Sequence, residues 1–217
     1  MALCYSTAEY CAAVWARSAH APKVDIELNK ACRVITGNLR ATPLPSMYRL
    51  AGIAPPNIRR LTISKAERDR QQQDPRHPLY GHQEERRRLV SRKSFVTTDG
   101  LDGTTAPNFR VRTWRRTDHD NPNEALPDIS EDLPVGKDLP RRDWVTLNRT
   151  RAKVGKTGDN LVKWGLKNRA DCPCGEPNQT MAHILQDCCL SSPCTDNDLK
   201  LAYDIARKWL SVWNDKI

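Results

Sequence analysis

Residues 171–189, DCPCGEPNQTMAHILQDCC, contain four of the eight cysteines of the chain and one of its five histidines. This stretch constrains the fold more than any other, because thiols so close together have to be paired, bound or buried. Disulfides, a metal ion and the packing of small apolar side chains are the three physical options. Features elsewhere in the chain discriminate among them.

The beginning of the sequence argues against disulfides. MALCYSTAEY lacks the basic and long apolar regions of a secretory signal. The sequence also has no run of about 18 apolar residues, so no membrane span is expected. We therefore expect an intracellular protein in a reducing compartment, where disulfide frameworks are rare. Eight cysteines in such a compartment favour metal binding.

The spacing of the cluster, C-x-C-x8-H-x4-C, predicts a metal site formed by Cys172, Cys174, His183 and Cys188. Three thiolates and one imidazole make a closed tetrahedral set for structural Zn²⁺, which is the predicted cofactor. Gly175 is placed for a turn with positive φ. TMAHILQDC predicts one or two helical turns, which must loosen before Cys188 if His183 and Cys188 are to reach one ion. Simple packing is less favoured, because a polar loop is a poor place to bury three thiols.

Two features leave the ligand set open. The first pair is separated only by Pro173, whereas zinc-binding cysteines usually have two or more residues between them. Cys189 and Cys194 are substitute ligands, and the sequence does not rank Cys188 against Cys189. The other cysteines lie in helical patterns and are expected to be packing residues: Cys4, Cys11 and Cys32.

The pattern of apolar and polar residues predicts a mainly α fold in three regions. Residues 1–73 are expected to form short helices. Residues 74–137 are rich in Pro, Asp, Asn, Thr and Gly, which predicts a flexible, largely irregular linker with one short extended piece at NFRVRTWR. Residues 138–217 are expected to form a small basic helical domain that carries a zinc-knuckle-like loop.

Local start and stop signals place the individual helices. Ser6 and Glu9 have the spacing of a capping box and predict a helix from Thr7 to about Ala16. The next helices are expected from about Pro22 to Gly37, over LPSMYRLAG to Gly52, and from Pro56 through QQQ. The third region predicts helices over PRRDWVTLNRTRAK, over NLVKWGLK to Gly165, and from Thr195 to about Trp213.

The charge is unevenly distributed. The formal net charge is +9, and residues 141–169 carry nine basic and two acidic side chains. Such a segment favours a polyanionic partner, RNA or DNA, although a solvated basic surface is the alternative. Trp164 is a candidate stacking surface for an unpaired base, unless it belongs to the core. The candidate phosphate contacts are Arg149, Arg151, Lys153, Lys156, Lys163, Lys167 and Arg169.

Several stretches together resemble the C-terminal end of the polymerase polyprotein of non-LTR (LINE-type) retrotransposons. In chain order they are STAEYCAAVW, VDIELNKACRVITGNLRATPLP, LAGIAPPNIRR, WVTLNRTRAKVGKTGDNLVKWGL and CPCGEPNQTMAHILQDC. They contain 83 of the 217 residues and fall within residues 6–60 and 144–188. The joint match in the family's order is specific, whereas each stretch alone is weak.

The resemblance implies a nucleic-acid-binding fragment of a reverse transcriptase. Segments similar to residues 1–70 belong to the helical thumb of that family, and segments similar to 141–190 form a Cys/His-rich module thought to contact RNA or target DNA. The family's knuckle ligands would fall on Cys172, Cys174, His183 and Cys188. The implied location is the nucleus or a cytoplasmic ribonucleoprotein.

The chain alone is not expected to be an enzyme. The Tyr-x-Asp-Asp motif that holds the polymerase metals is absent from the sequence. We therefore expect a catalytically inert remnant or a truncated gene model of a reverse transcriptase. A zinc-stapled protein–protein interaction module is the alternative. A zinc hydrolase or deaminase is disfavoured, because a fourth protein ligand closes the metal site.

Overall fold

The structure is a computed structural model that describes residues 2–82, 95–119 and 121–214. Regular structure in these ranges is helical, with no strand among them, which confirms the predicted mainly α class. The helices are α1 (Ala2–Glu9), α2 (Ala12–Trp15), α3 (Ala21–Thr36), α4 (Leu44–Ala51), α5 (Pro56–Gln73), α6 (Ala106–Thr117), α7 (Arg141–Arg151), α8 (Gly158–Lys163), α9 (Asp196–Leu201) and α10 (Asp204–Trp213). A 3-10 turn lies at Phe95–Thr97 and a π-helical turn at His183–Asp187. None of the described helices is both long and apolar enough to cross a membrane.

The chain forms two compact units, and each is assembled from two segments. The first unit comprises residues 1–31 and 54–120, and the second comprises residues 32–53 and 121–217. The boundary between residues 31 and 32 lies inside α3. The division into three sequence regions at 73/74 and 137/138 stays a prediction.

The first unit is organised around α5. This helix packs against α2, α6 and the 3-10 turn. Its two adjacent arginines point to different parts of the chain. Arg59 holds both carboxylate oxygens of Glu9, with 2.7 Å between Nη2 and Oε2, and Arg60 holds both oxygens of Asp25, with 3.0 Å between Nη2 and Oδ2. Bidentate pairs of this kind add geometric specificity to the packing.

The predicted helix from Thr7 to Ala16 is wrong. The chain is already helical from Ala2, and it breaks at Cys11, which has a left-handed φ of 52°. The break turns Ala12 and Ala13 into the core and leaves Tyr10 and Val14 exposed. Cys4 and Cys11 are exposed as well, so of the three predicted packing cysteines only Cys32 is buried. Periodicity failed here because the break at Cys11 interrupts the helical repeat, so residues before and after it do not follow one period.

The expected extended piece in the predicted linker is also wrong. NFRVRTWR lies within α6, which has a proline in its first turn and buries Trp114. A proline early in a helix costs no hydrogen bond, because the first N–H groups have no partner within the helix. Residues 83–94 of the predicted linker lie outside the described residues.

Two glycines of the second unit end helices where predicted. Gly37 follows α3 with φ +72°, and Gly52 follows α4 with φ +60°. Both also permit close packing. A Cβ atom at Gly37 would lie 2.3 Å from Cγ2 of Val145, and one at Gly52 would lie 2.2 Å from the carbonyl oxygen of Asp132. Any side chain at either position would therefore clash as well as strain the backbone.

The core of the second unit lies between α7 and the C-terminal helices. Leu147, Trp209 and Trp213 are among its fully buried members. The predicted cap is confirmed, since Thr195 and Asp198 form a reciprocal capping box at the start of α9. The single helix from Thr195 to Trp213 is wrong, because Ala202 adopts a left-handed φ of 50° and separates α9 from α10.

Arg151 is a buried structural residue. Its side chain is inaccessible to solvent, and Nε donates to the carbonyl oxygen of Leu199 at 2.8 Å. Nη2 donates to the carbonyl oxygens of Val135 at 2.9 Å and Lys200 at 3.0 Å. Burial lowers the pKa of Arg151 to about 10. The guanidinium thus donates to two carbonyls in the last turn of α9, and the carbonyl of Leu199 also accepts from the N–H of Ala202 at 3.3 Å.

Replacing Arg151 by alanine should lower the free energy of unfolding by about 3 to 5 kcal/mol, because buried carbonyls lose hydrogen bonds to a charged donor. Urea denaturation followed by circular dichroism measures the change. Arg207→Ala removes an exposed arginine of α10 and should change the free energy by less than about 0.5 kcal/mol. Equal effects of the two substitutions would contradict the structural role of Arg151.

Candidate metal centre

A tight turn brings the first two cysteines to one side of the loop. The N–H of Gly175 donates to the carbonyl oxygen of Cys172 at 3.0 Å, and the N–H of Cys172 donates to the carbonyl oxygen of Glu176 at 2.8 Å. Pro173 occupies the second position of the turn, where its fixed φ is favourable. Gly175 has φ +101°, as predicted. The single spacer residue is therefore part of a turn that keeps both sulfurs near the same point.

A widened helical turn brings in the other two ligands. The N–H of Cys188 donates to the carbonyl oxygen of His183 at 2.9 Å, a bond between residues five apart. This π-helical turn confirms that the helix loosens before Cys188. The widening leaves two carbonyls without their α-helical partners. Trp209 Nε1 donates to the carbonyl oxygen of Ile184 at 2.9 Å, and the N–H of Cys194 donates to that of Leu185 at 2.7 Å.

The four predicted residues converge in space. The sulfur atoms of Cys172 and Cys188 are 3.8 Å apart, and the sulfur of Cys174 is 3.2 Å from Nε2 of His183. All four ligand atoms lie within 4.8 Å of one another, so the group can hold a metal ion. Cys172 and Cys188 are also members of the hydrophobic core of the second unit. The cluster is thus anchored on the core through two of its four residues.

The pKa values of the thiols differ because their surroundings differ. The backbone N–H of Glu176 is the main cause that lowers the pKa of Cys174 to about 7. Burial raises the pKa of Cys188 to about 11 and that of Cys194 to about 12. Metal ligation requires the thiolate form, so the energetic cost of deprotonation differs between Cys174 and Cys188.

The structure distinguishes the cysteines that the sequence left open. Cys188 belongs to the cluster, whereas Cys189 is exposed. Cys194 is buried, and its thiol donates to the carbonyl oxygen of Thr195 at 3.9 Å. In the described part of the chain, neither Cys189 nor Cys194 is a member of a candidate metal group.

A basic cleft of about 820 Å³ lies next to the cluster in the second unit. Pro173 and Gln179 of the cluster loop line it, and Asp171 is an acidic residue in its wall. Burial is the main cause that lowers the pKa of Arg149, and the charge of Arg141 adds to it. The basic residues that line the cleft are Arg141, Arg142, Arg149, Lys156 and Lys167.

The cleft divides the predicted phosphate contacts into two groups. Arg149, Lys156 and Lys167 line it, although Arg149 Nε also donates to the carbonyl oxygen of Gly37 at 3.0 Å. The others lie elsewhere. Arg151 is buried and cannot reach a phosphate, and Trp164 is 36% exposed. Lys153, Lys163 and Arg169 form ion pairs with Asp196, Asp159 and Asp171, each at 2.8 Å.

Sequence reasoning did not select Arg141 and Arg142 as contacts. They begin α7, and Arg141 also donates to the carbonyl oxygens of Val34 and Ile35. A signal for Arg151 was present in the sequence, since it shares a helical face with Trp144 and Leu147, and all three are buried. The spacing of these residues marks Arg151 as inward-facing.

Comparisons with protein-family models, with curated proteins and with solved structures find no significant match.

Replacing Cys188 by serine should abolish metal binding at this cluster, because it removes a ligand that no neighbouring thiol replaces. Cys189→Ser is the matched control and should leave the metal content unchanged. Elemental analysis of the purified variants gives the metal-to-protein ratio. Loss of metal in the Cys189 variant, with retention in the Cys188 variant, would show that the ligand assignment is wrong.

Proposed function

We propose that this chain is a zinc-stabilised nucleic-acid-binding fragment of a retrotransposon reverse transcriptase that lacks the polymerase catalytic core. The observation that carries the proposal is the cleft beside the Cys/His cluster, with five basic residues and one acidic residue in its wall. The resemblance to the C-terminal end of the LINE-type polyprotein supports the same assignment. The matching stretches of the sequence lie within residues 1–70 and 141–190.

Zinc is the metal that fits the cluster best. Thiolate and imidazole donors select zinc over magnesium or calcium, which prefer oxygen ligands. Tetrahedral zinc places two sulfurs about 3.8 Å apart and a sulfur and a nitrogen about 3.5 Å apart. The corresponding distances are 3.8 Å for Cys172 and Cys188 and 3.2 Å for Cys174 and His183. Zinc would hold the loop closed, and four protein ligands would leave no position for catalysis.

The cleft suits a phosphate backbone rather than a neutral ligand. Lys156 and Lys167 are exposed, and no ion pair involves either of them in the described ranges. Arg142 is exposed at the start of α7. The charges of Lys156 and Lys167 gain most from a polyanion, because each phosphate contact also releases condensed counterions.

Replacing Arg142, Lys156 and Lys167 together by alanine should flatten the plot of log K against log salt by about two to three units, since each lost contact removes about 0.7 to 0.9 of a counterion. Fluorescence anisotropy with a labelled oligonucleotide at several salt concentrations measures this slope. The change should depend little on base sequence.

A charge-matched control replaces Lys153, Lys163 and Lys200 by alanine. Each of these lysines is paired with an aspartate and lies outside the lining of the basic cleft. The control should leave the salt slope nearly unchanged. Equal slopes for both triple variants would remove the cleft from the proposal. Salt-insensitive binding of a protein would instead favour an interaction module.

The purified chain should extend no primer on an RNA or DNA template with Mg²⁺ or Mn²⁺. The reason is that polymerase chemistry requires carboxylates that hold two divalent metals, and the Tyr-x-Asp-Asp motif is absent from the sequence. A primer-extension assay with a heat-inactivated sample as background is the measurement. Template-dependent incorporation above that background would refute this part of the proposal.

A further inference from the structure

Gln179 lies between the metal cluster and the start of α8. Its side chain is 7% exposed, although glutamine is usually a surface residue. Oε1 accepts a hydrogen bond from the N–H of Gly158 at 2.8 Å, and Nε2 donates to the sulfur of Cys172 at 3.8 Å. The N–H of Gly158 can only donate, so the amide oxygen has to face it. The amide NH₂ is therefore directed at the sulfur.

The main chain around Gln179 is joined to the same elements. Its N–H donates to the carbonyl oxygen of Ala170 at 2.7 Å, and its carbonyl oxygen accepts from the N–H of Asp159 at 3.2 Å. Gly158 lies so close to Ala170 that a Cβ atom would be 2.5 Å from the carbonyl oxygen. The start of α8, residue 170 and residue 179 thus form one tightly bonded group.

This group also forms part of the wall of the basic cleft. Gln179 itself lines the cleft. Lys156 stands two residues before Gly158, and Lys167 stands three residues before Ala170; both lysines line the cleft. A change at Gln179 therefore acts on the backbone segments that carry two of the cleft's cations.

We propose that Gln179 couples metal binding at the cluster to phosphate binding in the cleft. A metal-bound thiolate at Cys172 is a charged acceptor, so it holds the Gln179 amide more strongly than a thiol does. The same amide accepts the hydrogen bond from the N–H of Gly158, and it therefore fixes the backbone that follows Lys156 in the cleft wall. Gln179 is a positioning residue for both sites. The inference rests on the proposed nucleic-acid binding, and it adds the regulation of that site by metal occupancy.

Coupling of this kind is reciprocal. If zinc raises the affinity for a nucleic acid by some factor, the nucleic acid raises the affinity for zinc by the same factor. We expect a factor of about ten, within the usual range for linked sites. The probes are zinc, in competition with a chromophoric chelator, and a fluorescein-labelled oligothymidylate. Each affinity is measured with and without the other ligand.

Gln179→Leu removes both polar contacts at similar volume and should reduce the coupling factor to about one. It should also weaken zinc binding in the absence of nucleic acid by about tenfold, which is typical for loss of a residue that supports a metal ligand. Gln186→Leu is the matched control, because Gln186 is exposed on the π-helical turn between His183 and Cys188. It should keep both the zinc affinity and the coupling factor.

Gln179→Glu is a second variant that tests the proposal even if Gln179→Leu does not fold. The glutamate keeps an acceptor for Gly158 but places negative charge at the sulfur of Cys172, so zinc affinity should again fall about tenfold. Circular dichroism without metal checks that this variant is folded at the temperature of the zinc titration, because a buried carboxylate lowers stability. Unchanged zinc affinity in Gln179→Glu would overturn the proposal.

The oligothymidylate and zinc measurements distinguish a loss of nucleic-acid binding from a loss of coupling. Failure of the parent chain to bind the oligothymidylate would overturn the proposed function and the coupling with it, while the zinc affinities would still report the role of Gln179 at Cys172. Oligothymidylate binding with the same coupling factor in the parent chain and in Gln179→Leu would overturn the coupling alone.

Discussion

The second unit depends on closing residues 172–188 around one point. A proline-containing turn and a π-helical turn bring three sulfurs and one ring nitrogen within 4.8 Å of one another. A regular α-helix would offer its residue-188 N–H to the carbonyl of residue 184 rather than to that of His183. The wider turn is stable because the carbonyl oxygens that it leaves without helical partners accept other hydrogen bonds. Trp209 donates to that of Ile184, and Cys194 donates to that of Leu185. The local geometry of the cluster is therefore supported by the C-terminal helix and by the loop before α9.

Burial and ion pairing decide what each cation of the second unit can do. Arg151 donates to carbonyls of the α9 terminus and of Val135, so its charge is committed to the fold. Lys153 and Lys163 are paired with aspartates. Lys156 and Lys167 remain exposed in the cleft wall. The net charge alone does not reveal these differences, because it counts a buried arginine and an exposed lysine equally.

Where local chemistry determines the backbone, sequence reasoning succeeded. Gly37 and Gly52 end α3 and α4, and Thr195 caps α9. It failed where a non-glycine residue takes a left-handed conformation, at Cys11 and at Ala202. Such residues carry no local signature, since the strain is offset by contacts that form only after packing. In both places a single predicted helix is two helices in the structure.

By itself the sequence determined the helical class, most helix ends and the stretch, residues 171–189, whose Cys and His residues can share an ion. Each of these depends on residues within a few positions of one another. Only the tertiary structure decided that Cys188 rather than Cys189 joins the group, that Arg151 is buried and that Arg142 faces the cleft. These outcomes depend on contacts between segments far apart in the chain, such as α7 with the end of α9. The spacing of apolar residues describes one helix at a time, so it does not predict contacts between distant segments.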